Sequence, residues 1–236
     1  MRAADGLRLV AALLYPRRCP FCDRVLGGLE ECPHCARAQA KLRLTTPRLP
    51  ETEHTFRHLT GAAALWRYSG CVQGAILRMK NAGRACYGQE LGAAMARGIF
   101  GCTFSVRHGI IVFDEPFSLA RFDLIVPVPT ARRDRGYNPP ALLARPLARA
   151  LGVPLDEKAL EKSRATHTQK GLTAAQRLKN LRGAFRVPDA ARVEGRRVLL
   201  VDDVITTGAT VSACAEALMQ AGALEVFAVA AAETKQ

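Results

Sequence analysis

Four branched apolar residues running straight into two carboxylates, in VLLVDDVITTGAT at residues 198–210, constrain this chain more than any other stretch. A strand of Val198, Leu199, Leu200 and Val201 has no polar face, so it belongs inside a sheet covered on both sides. Charged carboxylates are not buried without partners, so Asp202 and Asp203 must emerge where water, a cation or ligand hydroxyls can reach them. In parallel α/β sheets that place is the carboxyl edge, where ligands collect. TTGAT at residues 206–210 then forms a short loop into a helix, with Gly208 permitting a backbone turn that other residues resist. The backbone amides through Ala209, the hydroxyls of Thr206, Thr207 and Thr210, and the positive helix end make a monophosphate cradle. Acids beside such a cradle suit a sugar phosphate, the acids taking vicinal hydroxyls and the loop taking the phosphate.

The rest of residues 61–236 alternates strand and helix. GAAALWRYSG at 61–70 reads as a strand and turn. Val72, Ile76 and Met79 mark one helical face, and Tyr87, Leu91, Met95 and Ile99 mark another. GIIVF, DLIVPVP and EVFAVAA read as further strands. NPPALLARPLARALG predicts a helix capped by Asn138, with proline in its first turn and a kink at Pro146, which removes one backbone bond. A helix from Thr210 to Ala221 ends at Gly222. The pattern predicts an α/β fold, a mainly parallel sheet flanked by helices and entered by right-handed crossovers.

Upstream, CPFCDRVLGGLEECPHC places Cys19 and Cys22 on one tight turn and Cys32 and Cys35 on another. Two such turns complete a four-sulfur shell around zinc, whereas redox dithiols use a single CxxC on an α/β scaffold. A closed shell has no open position for water, so the expected Zn2+ is structural, and folding of residues 19–35 depends on it. His34 is able to replace a cysteine but reads as a solvated spectator. Arg17, Arg18 and Arg24 are placed to offset the tetrathiolate charge or to contact phosphates. Cys71, Cys86, Cys102 and Cys214 lie among apolar residues and read as reduced core thiols, which favours a reducing compartment.

Leu7, Val10, Ala11 and Leu14 recur at helical spacing, so the first residues read as an amphipathic helix and not as a secretory signal. The expected organisation is therefore residues 1–40 for that helix and the four-cysteine zinc ribbon, 41–60 for a linker rich in Pro and Thr, and 61–236 for the main domain. No apolar run approaches the roughly 20 residues that span a bilayer, so a cytoplasmic protein without a membrane span is expected. The net charge of +13 suggests a phosphate-bearing partner. From Ala131 to Arg186 there are thirteen Lys and Arg against four Asp and Glu, which concentrates charge near the phosphate cradle.

Residues 198–210 resemble the signature by which phosphoribosyltransferases bind phosphoribosyl pyrophosphate (PRPP). The resemblance implies that Asp202 and Asp203 contact the ribose hydroxyls and that Thr206, Thr207, Gly208, Ala209 and Thr210 hold the 5-phosphate. It implies further that Val128, Pro129, Thr130 and Arg132 receive magnesium pyrophosphate. A narrower likeness covers nearly the whole chain. The double-CxxC head, YSGCVQGAILRMKNAG, VPVPTARRDRGYNP, RATHTQKGLTAAQRLKNLRGAF and the PRPP loop, in that order, resemble the ComF family of competence proteins and the similar GntX proteins. That family implies a zinc-ribbon head on a type I phosphoribosyltransferase domain. Pro139 departs from the glutamine usual there, and Pro146 is not a family feature.

Thr206 stands where many purine-salvage relatives of the wider superfamily carry a basic acid, and an ordinary hydroxyl is no general base near neutrality. Any transfer must then lean on Mg2+ and cations at the departing pyrophosphate. Arg164, His167, Gln169, Lys170, Arg177, Asn180 and Arg182 lie in one polar-to-helical segment suited to a lid, or equally to a solvated basic face. Two functions stay open. One is phosphoribosyl transfer from PRPP, or from another phosphorylated ribose, in nucleotide metabolism or DNA uptake. The other is a single-stranded DNA-binding competence factor that works with DNA-uptake proteins and keeps PRPP as a vestigial or regulatory ligand. An aromatic content of 6% offers few stacking platforms, Trp66 and Tyr68 among them.

Overall fold

A computed structural model describes residues 15–51, 54, 56–81, 83–114, 121–130, 136–163, 181 and 183–234. In chain order the first half contributes α1 (Pro33–Ala40), β1 (Gly61–Arg67), α2 (Gly70–Asn81), α3 (Tyr87–Phe100), β2 (Phe104–Arg107) and β3 (Ile110–Phe113). The second half contributes β4 (Leu124–Pro127), α4 (Pro139–Leu151), β5 (Glu161–Lys162), β6 (Phe185–Arg186), β7 (Arg197–Ile205), α5 (Ala209–Gln220) and β8 (Glu225–Glu233). The N-terminal helix expected from Leu7 to Leu14, Arg132, and the lid candidates Arg164, His167, Gln169, Lys170, Arg177, Asn180 and Arg182 lie outside the described residues.

Strands β1, β8, β7 and β4 form one parallel sheet in that order. Through the middle of the sheet its residues divide by parity. Val126, Val198, Leu200, Val226 and Ala228 face α5. Ile125, Leu199, Val201 and Val229 face α2, α3 and α4. Apolar residues on both faces are what a doubly covered parallel strand requires, which is why β7 reads as an unbroken hydrophobic run. Both outer edges are occupied. Residues 43–49 lie antiparallel along β1, with Leu44 and Leu49 amides donating to Leu65 and Ala62 at 3.0 and 2.8 Å. Along β4, the Ile125 amide donates to Pro154 at 2.8 Å and its carbonyl accepts from Asp156 at 3.0 Å.

Three expectations change in detail. GIIVF does not enter the main sheet. It pairs with the unforeseen strand β2 as an antiparallel hairpin closed by His108 and Gly109, whose φ angles of 50° and 72° match the twist of a two-residue turn. Asn138 occupies the N-cap position of α4 without capping it: its side-chain nitrogen donates to the Val128 carbonyl at 3.0 Å, and its Oδ1 accepts no bond among the described residues. Cys86 is exposed rather than part of the core, since it sits in the turn that opens α3.

Helix α4 continues through Pro146, whose ring is buried against α3. A Cβ on Gly92 would lie 2.2 Å from Pro146 Cγ and 2.6 Å from the Leu143 carbonyl oxygen. One on Gly88 would lie 2.4 Å from Leu142 Cβ. The two helices therefore approach as closely as they do because α3 presents bare backbone to the proline.

Candidate functional site

The sheet is uneven at its carboxyl end. Strand β4 pairs with β7 only through Pro127 and Val201, and the ladder closes with the Val128 amide on the Val201 carbonyl at 2.8 Å. Strand β7 continues alone on that side to Ile205 while still paired with β8 on the other. Asp202 and Asp203 are the first residues beyond the end of β4, so they line a crevice that the sheet itself opens. Both are 8% exposed.

Alternation sends the two carboxylates to opposite faces. Asp203 turns towards α2, where Lys80 Nζ meets its Oδ1 at 2.7 Å. Asp202 turns towards α5 and accepts the Asp203 amide on Oδ1 at 2.8 Å. Burial pushes the Asp202 carboxyl well above its ordinary range, with the Asp203 charge adding and Lys80 opposing. Burial alone would lower the Lys80 ammonium, but Asp203 and then Asp202 outweigh it and hold it above its usual value. Tyr68 stands in the same field; burial raises its hydroxyl, Lys80 lowers it and Asp203 raises it again.

The threonine loop follows immediately. Gly208 takes φ of 82°, a conformation that favours glycine, and turns the chain into α5. The Thr207 hydroxyl accepts the Ala209 amide at 3.3 Å, which shapes the bend from within. Ser212, one turn on, takes the Arg57 amide at 3.0 Å and ties the helix start to the chain before β1. On the opposite wall the base of the Val128–Thr130 loop is pinned twice, by the Val201 carbonyl and by Asn138. The structure thus gathers Asp202, Asp203, Thr206, Thr207, Gly208, Ala209, Thr210, Val128, Pro129 and Thr130 at one end of the sheet.

Lys80 is a site residue that sequence reasoning misses. It lies inside YSGCVQGAILRMKNAG, but nothing local says that the last turn of α2 reaches the tip of β7. Tyr137 secures that turn, its hydroxyl donating to the Met79 carbonyl at 2.7 Å.

The cysteine head forms a second site. The Cys19, Cys22, Cys32 and Cys35 sulfurs all lie within 4.8 Å of one another, and those of Cys22 and Cys32 are 3.7 Å apart. A tetrahedral shell with Zn–S near 2.3 Å needs sulfurs about 3.8 Å apart, so the four are able to hold such an ion. The Phe21 amide donates to Cys19 Sγ at 3.4 Å, a bond that favours thiolate. Arg17 is not available to a phosphate ligand. It is clamped bidentately to Glu90 at 2.8 and 2.7 Å, each side chain 8% exposed. Trp66 is likewise unavailable for stacking on bases, being 1% exposed beneath the head.

Residues 141–236 match the phosphoribosyl transferase domain family. Over 93% of its length the chain is 32% identical to the DNA utilization protein YhgH of Salmonella typhimurium, covering 91% of that protein. Competence protein F of Haemophilus influenzae is 38% identical over 44% of this chain and 47% of its own length. The chain belongs to the ComF family. Among solved structures, glutamine PRPP amidotransferase from B. subtilis, complexed with ADP and GMP, aligns with 63% of the chain and 26% of its own at 24% identity and a TM-score of 0.38. The ComF sheet described above is the parallel, helix-flanked sheet of a type I phosphoribosyltransferase domain. Among the described residues no helix is long and apolar enough to cross a membrane.

Proposed function

We propose that this ComF-family protein binds magnesium-complexed PRPP in the crevice beyond β4 and transfers its phosphoribosyl group to an acceptor. The observation that carries this reading is the position of Asp202 and Asp203: they open the crevice, and the Gly208 bend into α5 follows within the same run. Lys80 balances the Asp203 carboxylate, which leaves the Asp202 carboxyl to meet ribose hydroxyls or a cation. The open start of α5 offers amides and a positive helix end to the 5-phosphate. Mg2+, when bound with the substrate, neutralises the pyrophosphate. The chain's own residues orient the sugar and close one side of the pocket, and no acid at position 206 serves as base. The zinc held by the four cysteines is structural.

Calorimetric titration with Mg-PRPP tests this. Saturable binding is expected in the native protein, together with at least a tenfold loss in Asp202→Asn/Asp203→Asn. Equal affinity in the two proteins would end the proposal.

The names of the relatives and the charge of +13 support a second reading, in which single-stranded DNA binds the basic surface during DNA uptake. Phosphate neutralisation requires affinity that falls steeply between low and physiological salt. Binding indifferent to salt would remove this reading and leave the first intact.

A further inference from the structure

The last turn of α2 carries three attachments that leave it in different directions. Lys80 Nζ meets Asp203 Oδ1 at 2.7 Å in the crevice. Met79 is fully buried, and its carbonyl accepts the Tyr137 hydroxyl at 2.7 Å. Arg78 reaches the cysteine head, its Nη2 donating to the Pro20 and Phe21 carbonyls at 2.7 and 3.0 Å. A helix has no donors of its own for its last four carbonyls and frays there unless tied from outside, so these attachments decide where Lys80 stands.

The tie to the head depends on how the head is closed. Pro20 and Phe21 are the residues between Cys19 and Cys22, and both carbonyls meet one guanidinium only while that turn stays folded. The Asp23 amide on the Cys19 carbonyl at 2.9 Å and the Phe21 amide on Cys19 Sγ at 3.4 Å shape the turn. Its closure rests on the four sulfurs meeting about one ion, because the apolar cluster there is only Cys19, Leu26 and Cys32 with Phe21 and Cys35 beside them. Residues after α2 grip the same turn. Arg84 Nη2 lies 3.2 Å from Asp23 Oδ2, and the Tyr87 hydroxyl donates to Asp23 Oδ1 at 2.7 Å. The chain therefore holds this knuckle on both sides of Lys80, by Arg78 before it and by Arg84 and Tyr87 after it.

We propose that the Cys19–Cys22 knuckle positions Lys80 through Arg78, and so couples metal occupancy of the head to Mg-PRPP binding in the crevice. With the knuckle closed, Arg78 seats the last turn of α2 and Lys80 stays on Asp203. With it open, the turn loses its tie to the head and the ammonium is no longer fixed beside the acid pair. Arg78 touches no substrate; it acts through Lys80. Coupling of this kind is reciprocal, so the factor by which zinc raises Mg-PRPP affinity is the factor by which Mg-PRPP raises zinc affinity. The ligand half rests on the Mg-PRPP reading; the seating of α2 by the head does not.

Hydrogen exchange followed by mass spectrometry reads the seating without PRPP. In zinc-loaded full-length protein, Arg78→Ala should speed exchange of the peptide covering residues 76–81 about tenfold and leave β8 unchanged. Stripping zinc from the native protein with a zinc-selective chelator should do the same, which keeps the test open if Arg78→Ala fails to fold. Calorimetry with Mg-PRPP, after dialysis, reads the coupling. Affinity should fall about tenfold on stripping and in zinc-loaded Arg78→Ala, with Arg78→Lys recovering part because an ammonium still reaches one carbonyl. Arg97→Ala, which frees Glu30 and Glu31 of the head from α3, should leave Mg-PRPP affinity unchanged.

Zinc affinity measured by competition with the chelator should rise by the same factor under saturating Mg-PRPP, and should not rise in Lys80→Met. A head that served only to stabilise the fold would not produce that difference. Unchanged exchange of residues 76–81 after zinc removal, equal Mg-PRPP affinity with and without zinc, or zinc affinity indifferent to Mg-PRPP would overturn the inference. Absence of Mg-PRPP binding in the zinc-loaded native protein would sink the function proposed above, and exchange of residues 76–81 would then decide the seating on its own.

Discussion

Asp202 and Lys80 bear in opposite ways on the stability of the strand end they share. A carboxyl raised from 3.8 to about 7 by burial binds its proton more tightly folded than unfolded. The folded state is therefore favoured below the unfolded value and loses that advantage as pH climbs through the window from about 4 to about 7. Asp202→Asn removes the titration while keeping an oxygen for the Asp203 amide. Urea denaturation at pH 8 should show the variant more stable than the native protein by about 4 kcal/mol, with the difference shrinking towards pH 4. A native protein whose stability is flat across that window would contradict the assignment. Lys80→Met does the reverse, leaving Asp203 buried beside Asp202 without its counter-charge. A loss of about 2 kcal/mol in unfolding free energy and weaker Mg-PRPP binding are expected, with Lys80→Arg restoring part of both. The acids are legible because two charges interrupt an apolar run, and that interruption has few structural explanations. Lys80 is not, since a lysine at the end of an amphipathic helix looks like any solvated terminus until the helix is docked.

Among the elements, the helices and the buried strands announce themselves by period, and the short pieces do not. Val72, Ile76 and Met79 are fully buried on α2, as are Tyr87, Leu91 and Met95 on α3, because a helix covering one face of a sheet must repeat its apolar residues every turn. FSVR at β2 has four residues and one fully buried side chain, too little for a period, so its pairing with β3 depends on a turn whose residues are individually ordinary. The contact of α3 with α4 is also invisible locally: GQELG reads as a weak helix start, while its two glycines are what admit Leu142, Leu143 and Pro146. Gly92→Ala should therefore destabilise the protein by about 3 kcal/mol or more, since neither the Leu143 backbone nor the proline ring can give way. Gly28→Ala, in the loop between the cysteine pairs, meets nothing within 4 Å and should change the melting temperature little. Thermal denaturation of both variants checks the contrast, and equal effects would show that the helices are less tightly seated than Gly92 implies.

For the molecule as a whole, the cysteine head is bound to the α/β body by contacts that converge on one tryptophan. Phe21 packs edge-on against Trp66 with centroids 5.8 Å apart, and Gln39 of α1 accepts the indole N–H at 3.1 Å. Around them Arg17 clamps Glu90, the Tyr87 hydroxyl donates to Asp23 at 2.7 Å, and Arg78 donates to the Pro20 and Phe21 carbonyls at 2.7 and 3.0 Å. These partners are spread through the turns that the sulfurs organise, and so short a segment has almost no core of its own. Burial pushes the Cys19 thiol up to about 12, so protons compete strongly with a metal ion for the sulfurs. Removing it by a chelator should dissolve the head and uncover Trp66, the protein's sole tryptophan. A red shift and quenching of its fluorescence are expected at chelator concentrations where far-ultraviolet circular dichroism still shows the α/β signal, and zinc should reverse both changes. Arg17→Ala should move the chelator midpoint lower, because Glu90 then stays buried without its partner. Fluorescence and circular dichroism changing together would mean instead that the metal holds the entire fold, not only the head over β1.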